Sequence, residues 1–145
     1  MMKFYKNNAY PEISLHDKSF EFIKNQNEVK FIFSKGFDLV EKDKITTAAG
    51  EIIINNPNLN EFKITSVKPF NFVGYHRMIA REITIEKFEK IFDKFELEIF
   101  DEYYAFNSFI WRCMVKPYDK KMHKKYYIIE IEGYTPSPLE YYMEK

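Results

Sequence analysis

An imidazole beside a carboxylate can move protons or hold a metal ion, and the chain has one such pair at His16-Asp17. The plainer reading, a turn histidine followed by a capping aspartate, is preferred, because no second histidine stands at ligand spacing. His76 and His123 are isolated in sequence. With no cysteine pair and no His-x-x-x-His, nothing local names a metal site. Cys113 would need an electropositive niche and a histidine partner to act as a nucleophile. Its parity instead puts it with Phe109, Trp111 and Val115 on one strand face, as a core thiol. Single glycines at Lys35-Gly36 and Ala49-Gly50 open no helix, so the common phosphate loops are missing. No catalytic residue, metal ligand or cofactor is therefore expected, and the reading leans away from an enzyme.

Charge is the feature with local structure. From Glu82 to Glu102 there are eight acidic residues against three lysines, while Arg112 to Lys125 holds six basic residues against Asp119 alone. A helix-and-strand acidic surface could dock a basic protein, and Glu96, Glu98, Asp101 and Glu102 are its expected contact residues. The lysine-rich 116–125 loop, with Tyr118, Tyr126 and Tyr127 beside it, could touch phosphate backbones. For both, a solvated helix face and a solvated hairpin tip are the plain alternatives. The chain as a whole has 22 basic and 22 acidic residues, which removes the overall attraction that general nucleic-acid binders use. Nucleic acid is therefore a disfavoured partner.

The elements that must carry these residues read as strands first. Phe20 and Phe22 alternate with polar neighbours, Asn25-Gln26-Asn27 is a turn, and Val29, Phe31 and Phe33 alternate after it. Gly36 to Val40, Glu51 to Asn55 and Phe62 to Val67 are further runs, the last ended by Lys68-Pro69. The stretch from Phe70 to Ala80 has no regular pattern. Thr84 then offers an N-cap, and Ile85, Phe88, Ile91, Phe92 and Phe95 recur at helical spacing, predicting an amphipathic helix over about 84–95. Alternation through Leu97 and Ile99, through Phe109 to Val115 and through Tyr127 to Ile131 gives three more strands. Leu139 to Met143 reads as a short edge strand.

The expected fold is α+β: mainly antiparallel sheet, either strongly curved or split in two, with one helix packed on it. One domain covers residues 1–145, ample to bury a core without disulfides. One cysteine, no signal-like run after Lys3 and Lys6, and no apolar stretch of about 20 residues point to a cytoplasmic protein that spans no membrane. The 15 Phe, 11 Tyr, 17 Ile, 19 Lys and 10 Asn against 3 Arg fit the codons of a low-G+C bacterium or phage. That bias also explains part of the aromatic content without any stacking surface.

Taken together, the Leu15-His16-Asp17 opening before Phe-rich strands, the Phe88 to Phe95 helix running into Leu97-Glu98-Ile99-Phe100-Asp101-Glu102-Tyr103-Tyr104, and the acidic, Tyr-rich end resemble small β-rich proteins of low-G+C bacteria, some of immunity-protein type. The resemblance implies a binding role in which a surface covers a toxin's active site. It brings no residue-level contact with it, and the zero net charge departs from the acidic balance of many nuclease inhibitors. The leading expectation is a protein-binding module of this kind with a toxin-like partner. The alternatives are a small-molecule binder or enzyme in an aromatic-lined pocket, with His16 and Asp17 as polar groups, and a weak nucleic-acid binder using the 116–125 loop.

Overall fold

The computed structural model describes residues 2–5, 12–105, 107–122, 128–134 and 139–144. In chain order the elements are β1 (Met2–Tyr5), β2 (Glu12–Ser14), β3 (Lys18–Lys24), β4 (Glu28–Glu41), β5 (Lys44–Asn55), β6 (Lys63–Phe72), β7 (Tyr75–Ile83), α1 (Ile85–Ile91), β8 (Phe95–Ala105), β9 (Ser108–Pro117), β10 (Ile128–Tyr134) and β11 (Glu140–Met143). Among the described residues they make a mostly antiparallel sheet, not closed, with a single α-helix. The strand order is β1-β11-β5-β4-β3-β8-β9-β10-β6-β7, and β2 pairs with β4.

Turn chemistry sets the hairpins. The Asn25 side chain accepts from the backbone N–H groups of Asn27 and Glu28, closing β3 onto β4. Gly74, at φ +78°, lets Phe72 and Tyr75 pair across a two-residue loop, so the irregular 70–80 stretch is a hairpin. Lys42 and Asn107 take the left-handed conformation in the β4–β5 and β8–β9 turns.

Several boundaries differ from those read in the sequence. β4 runs from Glu28 to Glu41, because an irregularity between Phe33 and Phe37 absorbs Gly36 without ending the strand. β6 passes through Pro69: among the described residues its pairing with β10 runs from Lys63 to Val67, and β7 is its partner at Pro69. The helix stops at Ile91, short of the predicted 95. Thr84 caps it, accepting from Lys87 N at 3.2 Å. Its end tightens through Asp93 N to Lys90 O and Lys94 N to Ile91 O, and the strand alternation of Phe95, Leu97 and Ile99 then takes over. β11 is an interior strand between β5 and β1, where an edge was expected.

The core is aromatic. Trp111 on β9, fully buried, has the ring centroids of Phe109, Phe31, Phe20 and Phe33 at 4.6, 4.7, 5.9 and 6.4 Å. Phe88 and Ile91 of α1 are buried, with Phe88 4.9 Å from Phe22 of β3. Burying two such side chains is worth about 1.5–3 kcal/mol each, more than the propensity of so short a helix supplies. Tertiary packing therefore holds the helix.

Candidate functional site

One irregularity in β8 decides where its carboxylates go. Phe95, Leu97 and Ile99 are buried, so Glu96 and Glu98 face outward. The register then shifts between Ile99 and Asp101. An extra residue inverts the side-chain phase beyond it. Asp101 and Tyr103 consequently share the outward face with Glu96 and Glu98, whereas Glu102 and Tyr104 lie opposite Trp111 and Phe109 on the core side.

The outward face of β8, β9 and β10 is laced with cross-strand pairs. Lys116 Nζ lies 2.8 Å from Glu98 Oε2, and Lys35 Nζ, from the irregular part of β4, lies 2.8 Å from Glu96 Oε1. Arg112 stands opposite both Asp101 and Glu130, donating from Nε to Glu130 Oε2 at 2.9 Å. Its guanidinium carbon is 5.5 Å from the centre of the Tyr103 ring. The acids expected to form a bare patch are thus matched by Lys35, Arg112 and Lys116. Exposed pairs of this sort add little stability, so neutralisation is their main effect. Among them stand Tyr103, Met114 and Tyr134, 49%, 40% and 48% exposed.

Beneath this face, Glu102 accepts from Leu15 N at 2.7 Å and from the Tyr104 hydroxyl at 3.0 Å. Trp111 Nε1 donates to the same Tyr104 oxygen at 3.2 Å. Burial holds the Tyr104 phenol well above its ordinary pKa, with the Tyr141 phenol and the Glu102 carboxylate adding to the shift. The chain Leu15, Glu102, Tyr104, Trp111 is a structural tie between β8, β9 and the connection from β2 to β3. Glu102 was expected on the contact surface; the shifted register turns it to the inner side instead.

His16 and Asp17 occupy the turn between β2 and β3. Asp17 is at φ +61°, its N–H donates to Ile99 O at 2.7 Å, and the two side chains are 3.7 Å apart and mostly exposed. Among the described residues no group of three His, Cys, Asp or Glu could hold a metal ion. Cys113 is buried, and burial pushes its thiol pKa up, against nucleophilic use. Of the 116–125 loop, Lys116 is paired with Glu98 and Lys120 and Lys121 are exposed, while His123, Lys124 and Lys125, with the neighbouring Tyr126 and Tyr127, lie outside the described residues. An open recess of about 480 Å³ lies between Lys24, Phe62, Glu82 and Thr84. Its Lys24 Nζ is 3.3 Å from Glu89 Oε1 and 3.8 Å from Glu86 Oε1, tying α1 to β3. Among the described residues no helix is long and apolar enough to cross a membrane.

Compared with protein-family models, curated proteins and solved structures, the chain matches none.

The Lys35 pair yields a pH prediction. A hydrogen bond from Lys35 holds the Glu96 carboxyl below its ordinary 4.5, against the opposing effect of burial. The folded state therefore binds this proton less readily than the unfolded chain. Its stabilisation is present above pH 4.5 and is lost as pH falls through the lowered folded value. Glu96→Gln should lose that contribution at neutral pH, a small loss because the pair is largely exposed, and should converge with the parent protein at low pH, so that its acid dependence is shallower. Urea midpoints of the two proteins at about pH 7 and about pH 3.5 measure it, and an unchanged acid dependence in the variant would contradict the assignment.

Proposed function

We propose that the chain is a protein-binding module of the immunity type, which docks a toxin-like partner through the outward face of β8, β9 and β10. The observation that carries this reading is the exposure of Tyr103 and Met114 around Arg112 on a sheet face. Aromatic residues, methionine and arginine are the types that concentrate binding energy at interface centres. Glu96, Glu98 and Asp101, expected as direct contacts, form the polar rim; Glu102 contributes from the core side by fixing Tyr104 and β8. Because each rim acid already has a cationic neighbour, the partner surface is one of mixed charge.

A strongly curved sheet belongs to the same proposal. Phe31 on β4 and Trp111 on β9 are three strand steps apart, about 14 Å on a flat sheet, and a ring separation of 4.7 Å supports folding of the sheet across that span. The buried Phe88 and Ile91 beside exposed Glu86, Lys87 and Lys90 support an amphipathic α1 on its inner side. The free thiol of Cys113 fits a reducing, cytoplasmic setting.

Affinity capture from the producing cells tests the function. The parent protein should recover a stable partner, and Tyr103→Ala combined with Arg112→Ala should weaken that complex by at least about 30-fold, the loss of two hot-spot residues. Recovery of no protein partner, or undiminished binding by the double variant, would reject the reading.

A further inference from the structure

Among the described residues the strand order leaves one long backbone edge. Among the described residues β7 has β6 as its single neighbour, and their nine register pairs, Ile64 with Ile83 through Phe72 with Tyr75, run without a shift. At the opposite end of the order, β1 is only four residues long. β7 contains no proline and no bulge, and its nine residues extend about 30 Å. Such an edge presents N–H and C=O groups to any strand that fits its side chains.

Those side chains are selective. Arg77 and Arg81 are exposed and share one face, on either side of Ile79, while Met78 and Ala80 are exposed on the other. Two arginines at an edge are a guard against indiscriminate pairing. They act against a second copy in particular: full-length antiparallel pairing of β7 with itself centres on Ile79 and sets Arg77 against Arg81 twice. Like charges directly opposite are destabilising. The same spacing favours a strand with acidic residues opposite Arg77 and Arg81 and an apolar residue opposite Ile79.

We infer that β7 is a second binding surface, distinct from the face above, which takes up an extended segment of another protein with the pattern acid-x-apolar-x-acid by strand addition. Backbone hydrogen bonds supply the attachment and the two arginines the selection. Because β8 and β7 are separated by β9, β10 and β6 in the strand order, the edge can be tested independently of the Tyr103–Arg112 face.

The probe is a blocked peptide, threonine-glutamate-threonine-valine-threonine-glutamate-threonine, compared with its lysine-for-glutamate counterpart. On the full chain the glutamate peptide should slow amide hydrogen exchange across β7 and bind at least about tenfold more tightly than the lysine peptide. Arg77→Glu with Arg81→Glu should invert that preference, and Arg77→Gln with Arg81→Gln should abolish it. Tyr103→Ala with Arg112→Ala should leave peptide binding intact, so that failure of the face and failure of the edge are read separately. The inference is overturned if the peptide leaves exchange in β7 unchanged or both peptides bind alike. It is equally overturned if protection of β7 rises with protein concentration alone, which would identify a second copy as the occupant.

Discussion

Trp111→Ala is expected to lower the stability of the domain by about 3–5 kcal/mol, a large part of the roughly 5–15 kcal/mol that holds most domains folded. The side chain is fully buried and has four phenylalanine rings around it, drawn from β3, β4 and β9. Removing the indole opens a cavity that the surrounding strands cannot collapse to fill. It also removes the donor to Tyr104. Trp111→Phe should recover most of the packing but not that hydrogen bond, and fall between the two. Urea unfolding followed by circular dichroism gives the comparison, since the variants lose the chain's one tryptophan as a fluorophore. A loss under about 1 kcal/mol in the alanine variant would mean that the ring cluster is not the centre of the core.

This hub is legible in the residue pattern alone. The period-two alternation of Phe109, Trp111, Cys113 and Val115, and of Phe20 and Phe22 against Val29, Phe31 and Phe33, reports burial directly, and those residues are buried. Thr84 announced the helix start for the same local reason, its hydroxyl being the cap. The helix end was hidden because Phe92 and Phe95 satisfy the helical period as well as the strand that follows. Nothing in single-residue chemistry separated the two, and only the tightening at Asp93 and Lys94 does so. β1 left no clear sequence signal, since its four residues rely on β11, a partner near the other end of the chain.

The acidic cluster shows the same limit at the level of the site. Glu96, Glu98 and Asp101 do face outward, but their neutralising partners come from β4 and β9, and one of them, Lys35, is 61 positions from Glu96. Local charge counting has no access to such pairs. The inversion of Glu102 did leave a trace: Ile99-Phe100 followed by Asp101-Glu102 breaks strict alternation, which is what an inserted residue in a strand looks like. Reading that break as a bulge assigns Glu102 to the inner face. Tyr103 and Tyr104 then divide between surface and core, a distinction invisible to composition.

From that inner position follows the second large effect. Glu102→Leu is expected to cost about 3–5 kcal/mol, because two donors, Leu15 N and the Tyr104 hydroxyl, lose a charged acceptor and each unsatisfied group costs about 1–3 kcal/mol. Glu102→Gln keeps one carbonyl acceptor, so a smaller loss of about 1–2 kcal/mol is expected from it. The neighbouring Tyr141 supplies the control. Among the described residues its buried hydroxyl has no hydrogen bond of ordinary geometry, although it lies close enough to Tyr104 for each phenol to affect the other's ionisation. Burial raises the pKa of both, so neither contributes charge at neutral pH. Removing that hydroxyl in Tyr141→Phe should therefore change stability by no more than about 0.5 kcal/mol, or raise it, whereas Tyr104→Phe breaks the bonds to Glu102 and Trp111 and should lose about 1–3 kcal/mol. Denaturant midpoints of the four variants order the effects. Equal losses for Tyr141→Phe and Tyr104→Phe would show that the Tyr104 network is not what ties β8 to β9.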